Sequence, residues 1–192
     1  LTDIGPVNHA LGGRDLLDRY YTPAPVARAC VGLLRIAPRA RVLEPSSGGG
    51  AFLDAILAAQ PTAVVRAFDV DPNAPSAARF KVERQDFLRY RHRGPMFDWI
   101  IGNPPYFEAE DHVRKALRTG KNVAFLLRLG FAESQARVPF WKGIGKCLRE
   151  VRVLASRPSF TNGGTDATAY GFFIWAHNHR GPSRIVPCWD FK

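Results

Sequence analysis

The chain has 192 residues, 46% of them apolar and 23% charged, a mix that excludes a disordered or collagen-like polymer. No run of eighteen apolar residues occurs, which excludes a membrane-spanning helix of ordinary length. Lys and Arg number 27 against 17 Asp and Glu, a net charge of +10, and such an excess suits a polyanionic partner.

In chain order, residues 41–44 read as a strand, followed by a Ser/Gly turn and a helix over 51–60 that Pro61 stops. A second strand over 62–69 ends at Asp71-Pro72-Asn73. A short helix over 74–79 and a short strand over 81–84 follow. Residues 97–101 form a stronger strand that ends at Gly102-Asn103-Pro104-Pro105. The apolar run 123–129 fits strand or helix equally by periodicity. Residues 139–150 read as a helix despite two glycines, 151–155 as a strand, and 167–176 as a long aromatic strand. Alternating β and α elements predict an α/β fold, a mostly parallel sheet with helices on both faces. In such sheets ligands lie beyond the carboxyl ends of the strands, so the polar segments there are where chemistry is expected.

Four such segments stand out. Glu44-Pro45-Ser46-Ser47-Gly48-Gly49-Gly50 lies between the first strand and its helix. Its glycines either bring backbone close to a ligand or only reverse the chain, and the full GxGxxG pattern is absent. At the end of the second strand, Asp69 is positioned to take ribose hydroxyls, whereas Asp71 starts a turn with Pro72. Asp86-Phe87 offers a carboxylate for an exocyclic amine beside a ring that can stack on a purine, or else a loop acid and a core ring. Asn103-Pro104-Pro105-Tyr106 follows a strand. Its prolines fix a rigid corner that aims the Asn side-chain oxygen and a backbone carbonyl at one point, next to the flat face of Tyr106.

The order Tyr21-Thr22-Pro23, Glu44-Pro45-x-x-Gly48-x-Gly50, Asp69, Asp86-Phe87, Asn103-Pro104-Pro105-Tyr106 resembles that of S-adenosylmethionine-dependent N6-adenine DNA methyltransferases, the small enzymes of phage and prophage in particular. The resemblance runs from about residue 20 to residue 175. It implies a Rossmann-like class I methyltransferase fold with an antiparallel last strand. It places Tyr21, Thr22 and Pro23 near the methionine end of S-adenosylmethionine. Glu44, Pro45, Ser46, Gly48 and Gly50 become the cofactor loop, Asp69 the ribose ligand, and Asp86 and Phe87 the adenine ligands. Asn103, Pro104, Pro105 and Tyr106 become the catalytic corner, with Asn103 also beside the cofactor. Tyr106 and Phe160, within Arg157-Pro158-Ser159-Phe160, become the faces for the target base. The partner implied is DNA, single-stranded or with its base flipped out.

The chain is expected to be one catalytic domain over 1–192. Restriction-type members have a separate target-recognition domain, and none is expected here; selectivity is then low, or comes from a loop such as 108–122 or from a partner. Arg89–Arg93 and Arg114–Arg118 are candidates to track phosphates, or are solvated surface. Cys30, Cys147 and Cys188 are odd in number and far apart, and the five histidines do not cluster with them. No metal is expected, and a reducing cytoplasm is the expected compartment. Three alternatives stay open. The same tetrapeptide serves enzymes that methylate adenine in RNA or a glutamine amide in protein, and a non-catalytic binding module would keep the fold without transfer.

Overall fold

The computed structural model describes residues 21–155 and 168–188. Eight strands form one sheet: β1 (Arg41–Glu44), β2 (Val64–Asp69), β3 (Val82–Arg84), β4 (Phe97–Gly102), β5 (Gly120–Arg128), β6 (Leu148–Leu154), β7 (Tyr170–Ala176) and β8 (Arg184–Cys188), in the order β3-β2-β1-β4-β5-β7-β6-β8. Strands β1 to β5 pair in parallel. β7 is inserted antiparallel between β5 and β6, and β6 pairs in parallel with β8. The expected mostly parallel sheet with helices on both faces is observed; the reversed strand, expected to be the last, is β7, and β8 follows it at the edge, parallel to β6.

Helix α1 (Ala24–Gly32) and α2 (Ala51–Ala59) cover one face; α3 (Ala109–Thr119) and α4 (Val138–Ile144) cover the other. Successive strand residues point to opposite faces, and both faces are buried, so the central strands are apolar throughout rather than alternating. Ile100 and Phe173 pack with Val113 and Ala116 of α3, while their neighbours Ile101 and Phe172 pack with Ala27 of α1 and Ile56 of α2. Among the described residues, no helix is long and apolar enough to cross a membrane.

Two expectations are corrected and one open reading is settled. The segment 108–122, expected as a loop, is mostly helix α3. Ala109, Val113, Ala116 and Leu117 recur at helical spacing and are buried, with charges on the outer face. The helix expected over 139–150 stops at Ile144, a tight turn follows at Gly145–Cys147, and Leu148–Glu150 already belong to β6. Glycine at 143 and 145 weakens the helix, and pairing with β7 wins the remaining residues. The run 123–129 is resolved as strand through Arg128. Two elements carry no expectation from sequence. One is α1, started by Pro23 and Pro25; the other is β8, at the sheet edge beyond β6.

Candidate active site

A cleft opens at the carboxyl ends of β1 to β4. Its lining brings together Tyr21, Pro45, Ser46, Gly48, Asp69, Asp86, Phe87, Asn103, Pro104, Pro105 and Tyr106 from five separate segments. A smaller recess continues from it between Thr22, Glu44, Gly49, Phe52 and Asn103. Arg157–Phe160, with its proposed base-stacking ring Phe160, lies outside the described residues.

The loop after β1 is held from all sides. Gly48 and Gly50 take φ of 46° and 83°, the left-handed region that favours glycine. A side chain on Gly48 would also press into the Tyr21 ring. Gly48 N–H donates to Asp69 Oδ2 at 2.7 Å, and Asp71 N–H donates to Asp69 Oδ1 at 2.9 Å. Asp69, expected to bind a ribose, therefore also braces the glycine loop while lining the cleft. Asp71 accepts from Asn73 N–H as a turn former, as its sequence context suggests. Ser47 and Ser76 join their hydroxyls at 2.9 Å, and Arg79 bridges the Gly49 carbonyl to Asp54. Neither Ser76 nor Arg79 carries a motif that would reveal this role in the sequence.

Glu44 is 1% exposed and accepts from Ser46 N–H at 3.2 Å. Burial pushes its carboxyl well above the usual range, and the charge of Asp69 adds to the shift. The carboxylate lies so close to the backbone of β4 that a Cβ on Gly102 would overlap it. Gly102 thus lets the end of β1 approach the start of the proline corner.

At that corner, Asn103 Nδ2 donates to Thr22 Oγ1 at 3.1 Å, which leaves the amide oxygen on the opposite branch. The prolines lead into a tight turn at Tyr106–Glu108. The Tyr106 ring lies 5.8 Å from that of Tyr170, and the Arg128 guanidinium sits 4.9 Å over it. Arg128, at the end of β5, is a site neighbour that the sequence reading missed; nothing in the run 123–129 distinguishes it.

At the far end of the cleft, Asp86 Oδ1 accepts from the N–H groups of Leu88 and Arg89. Phe87 is buried and packs its ring against His112 at 5.6 Å. Glu108 and His112 also line this end. Desolvation raises the Glu108 carboxyl, and so do the charges of Asp86 and Asp111. Both residues sit one helical turn apart, a relation hidden while the segment is read as a loop.

The two basic stretches behave differently from the cleft. Residues 91–95 return to the amino end of the sheet, where Arg41 Nη1 donates to the Pro95 carbonyl. Lys115 donates to the Tyr90 carbonyl, Arg114 pairs with Glu110, and Arg118 ends α3 next to the start of β5. The structure thus sets Arg91, Arg93 and Arg118 at the edge opposite the cleft. No group of three His, Cys, Asp or Glu among the described residues is arranged to hold a metal ion.

No family model matches the chain. It is 33% identical over 90 residues to the Type II methyltransferase M.HincII of Haemophilus influenzae, 47% of this chain and 17% of that one. It is 39% identical over 94 residues to the Type II methyltransferase M.TthHB8I of Thermus thermophilus, 47% and 21% of the two chains. The chain therefore spans about a fifth of the length of these curated relatives. Among solved structures, the M protein of the type I restriction enzyme EcoKI superposes with TM-score 0.71 at 11% identity, over 88% of this chain and 48% of that one. A Listeria monocytogenes structure described as a class I S-adenosylmethionine-dependent methyltransferase gives 0.68 at 16%, over 87% and 64%. TrmN of Thermus thermophilus gives 0.58 at 26%, over 79% and 48%. The fold is that of class I S-adenosylmethionine-dependent methyltransferases, and the resemblance read from the motifs is matched by methyltransferases among the curated relatives.

Proposed function

We propose that the chain transfers the methyl group of S-adenosylmethionine to the N6 amine of adenine in DNA. The observation that carries this reading is the Asn103–Tyr106 corner at the carboxyl end of β4, opening on the same cleft as the glycine loop and tied to Thr22. The restriction and Type II methyltransferases among the similar proteins favour DNA as the nucleic acid.

The residues present fit the cofactor. Glycines at left-handed φ let the loop backbone line the cleft beside the Tyr21 ring, at the carboxyl ends of the strands where such folds bind ligands. Asp69 offers its remaining lone pairs to ribose hydroxyls, and Asp86 and Phe87 stand at the adenine end. Tyr21, Thr22, Glu44, Pro45, Ser46 and Asn103 line the end assigned to the methionine part, while Pro23 and Gly50 support it from outside the lining. When bound, the cofactor supplies an electrophilic methyl group on a sulfonium.

The chain's own work is to make a poor nucleophile reactive and to aim it. The lone pair of an exocyclic amine is delocalised into the purine ring. The Asn103 side-chain oxygen and the Pro104 carbonyl each accept one of its N–H groups, which draws the nitrogen toward tetrahedral geometry. The same two oxygens stabilise the positive charge that develops on it, an electrostatic preorganisation in a partly water-excluded site. Because the prolines fix the corner, little reorganisation is needed at the moment of reaction. Tyr106 supplies a flat face for the target base, which must leave the duplex stack or be single-stranded to reach the cleft. No strong base is needed before transfer, since the amine becomes acidic once methylated.

The test is to incubate purified chain and labelled S-adenosylmethionine with single-stranded DNA, duplex DNA and RNA oligonucleotides of matched sequence, and to identify modified nucleosides by mass spectrometry. The expected product is N6-methyldeoxyadenosine. Label in RNA alone, in cytosine alone or in protein would overturn the assignment.

A further inference from the structure

Helix α3 begins directly after the Tyr106–Glu108 turn, so Glu108 and His112 stack one turn apart on the side of the helix that faces the cleft. His112 is 4% exposed, and its Nδ1 lies 3.1 Å from the Glu108 carbonyl oxygen. A carbonyl only accepts, so Nδ1 carries the hydrogen, and the neutral ring presents Nε2 as an acceptor. Burial favours that neutral ring by lowering the imidazole pKa, against the opposing pull of Asp86 and Asp111. No described residue donates to Nε2. The ring lines the cleft, and Nε2 is reached from it rather than sealed in the core, so this acceptor is open to a ligand.

The surroundings suggest one. Asp86 spends Oδ1 on the backbone of its own turn, and among the described residues Oδ2 pairs only with the Arg89 guanidinium at 3.2 Å, whose side chain is 88% exposed. An ion pair so open to water is weak and leaves Oδ2 able to accept from a ligand. The Phe87 ring, 5.6 Å from the imidazole, joins the two acceptors on one wall. The backbone N–H of Phe87 makes no hydrogen bond among the described residues. This end of the cleft therefore brings together two acceptors, with a backbone N–H of a lining residue left unbonded beside them. The hydrogen-bonding edge of adenine has the complement: an amine with two hydrogens beside a ring nitrogen that accepts. Hypoxanthine reverses both, with an oxygen in place of the amine and N–H in place of the acceptor.

We infer that His112 is the second acceptor for the cofactor's adenine amine, paired with Asp86, and so a specificity-determining residue for the cofactor; this rests on the methyl-transfer reading above. Asp86 takes one amine hydrogen and His112 Nε2 takes the other. The imidazole is held for this by the Glu108 carbonyl on one side and the Phe87 ring on the other.

The test is calorimetric titration of the purified chain with S-adenosylhomocysteine and with its inosine counterpart, for wild type, His112→Phe and His112→Gln. Phe keeps ring volume and removes the acceptor; Gln restores an oxygen acceptor. His112→Phe is expected to lose roughly tenfold in affinity for S-adenosylhomocysteine, the worth of one buried hydrogen bond. It should bind the inosine compound no worse, so that discrimination narrows by the same factor, and His112→Gln should recover most of it. If the Phe ring does not fit, as judged by thermal melting, His112→Leu makes the same comparison. Unchanged discrimination in the acceptor-less variant overturns the inference, as does an equal loss of both ligands in all variants, which marks a packing role. Wild-type chain that binds neither compound overturns the cofactor reading itself, a result distinct from these.

Discussion

Thr22 and Asn103, 81 residues apart in sequence, are joined by a 3.1 Å hydrogen bond from Asn103 Nδ2 to Thr22 Oγ1. The bond fixes which branch of the amide turns toward Thr22 and, on the proposed reading, which atom faces the target amine. Replacing Thr22 by Val keeps the shape and removes the acceptor. The expected result is a roughly tenfold slower single-turnover methyl transfer with cofactor affinity nearly unchanged, since one neutral hydrogen bond is lost and the amide is freed to rotate. Rapid-quench measurement alongside cofactor titration separates the two effects.

The corner itself is legible in the sequence because Asn103-Pro104-Pro105-Tyr106 has few ways to fold after a strand, and its prolines fix their own φ. The glycine loop is legible for a similar local reason. The tie from Thr22 is not, because it depends on α1 delivering the segment before it across the sheet to the end of β4. Nor are Glu108 and His112, whose approach to Asp86 needs the helix α3 that charged residues disguise as a loop. Periodicity assigns β4 and β7 correctly, yet it overextends the helix at 139–150. There the glycines and the pull of β7 decide the boundary, and neither force is local.

Gly102 is where β4 must pass the Glu44 carboxylate without a side chain. Gly102→Ala is expected to destabilise the protein by about 1–3 kcal/mol, the usual range for overpacking. It should also depress transfer, because the next residue is Asn103. Pairing it with Glu44→Ala relieves the overlap. Thermal melting of the four members of the cycle should give a favourable coupling; simple additivity would mean the two residues do not collide.

Glu44 should reveal itself through pH. Burial raises its folded pKa above the ordinary 4.5, so the folded chain holds the proton more tightly than the unfolded chain. Its contribution to stability is therefore best below about 4.5 and falls as pH rises from there toward the folded value. Glu44→Gln removes the titration. The variant is expected to melt higher than wild type at pH 7.5 and to converge with it near pH 4, as followed by circular dichroism. A difference independent of pH would contradict the burial argument.

Arg128 lies 4.9 Å over the Tyr106 ring, and a cation there is worth on the order of 1 kcal/mol in holding the ring. On the proposed reading it also adds positive charge beside the ring that would receive the target base. Arg128→Ala is expected to raise KM for DNA several-fold and to flatten the dependence of binding on salt by about one counterion, with cofactor affinity unchanged. Arg128→Lys restores the salt slope but not the full rate, because an ammonium lacks the flat face that stacks on Tyr106. Filter binding across a salt series together with initial rates distinguishes the two contributions.

The most direct measurement compares Asn103→Ala with wild type for S-adenosylhomocysteine affinity and for the rate of a single methyl transfer to an adenine-containing oligonucleotide. The account predicts affinity within about twofold of wild type and transfer slower by roughly 10²–10³, the cost of losing one preorganised partner for developing charge. Transfer at near wild-type rate, or a fall in rate explained entirely by lost cofactor binding, would contradict it.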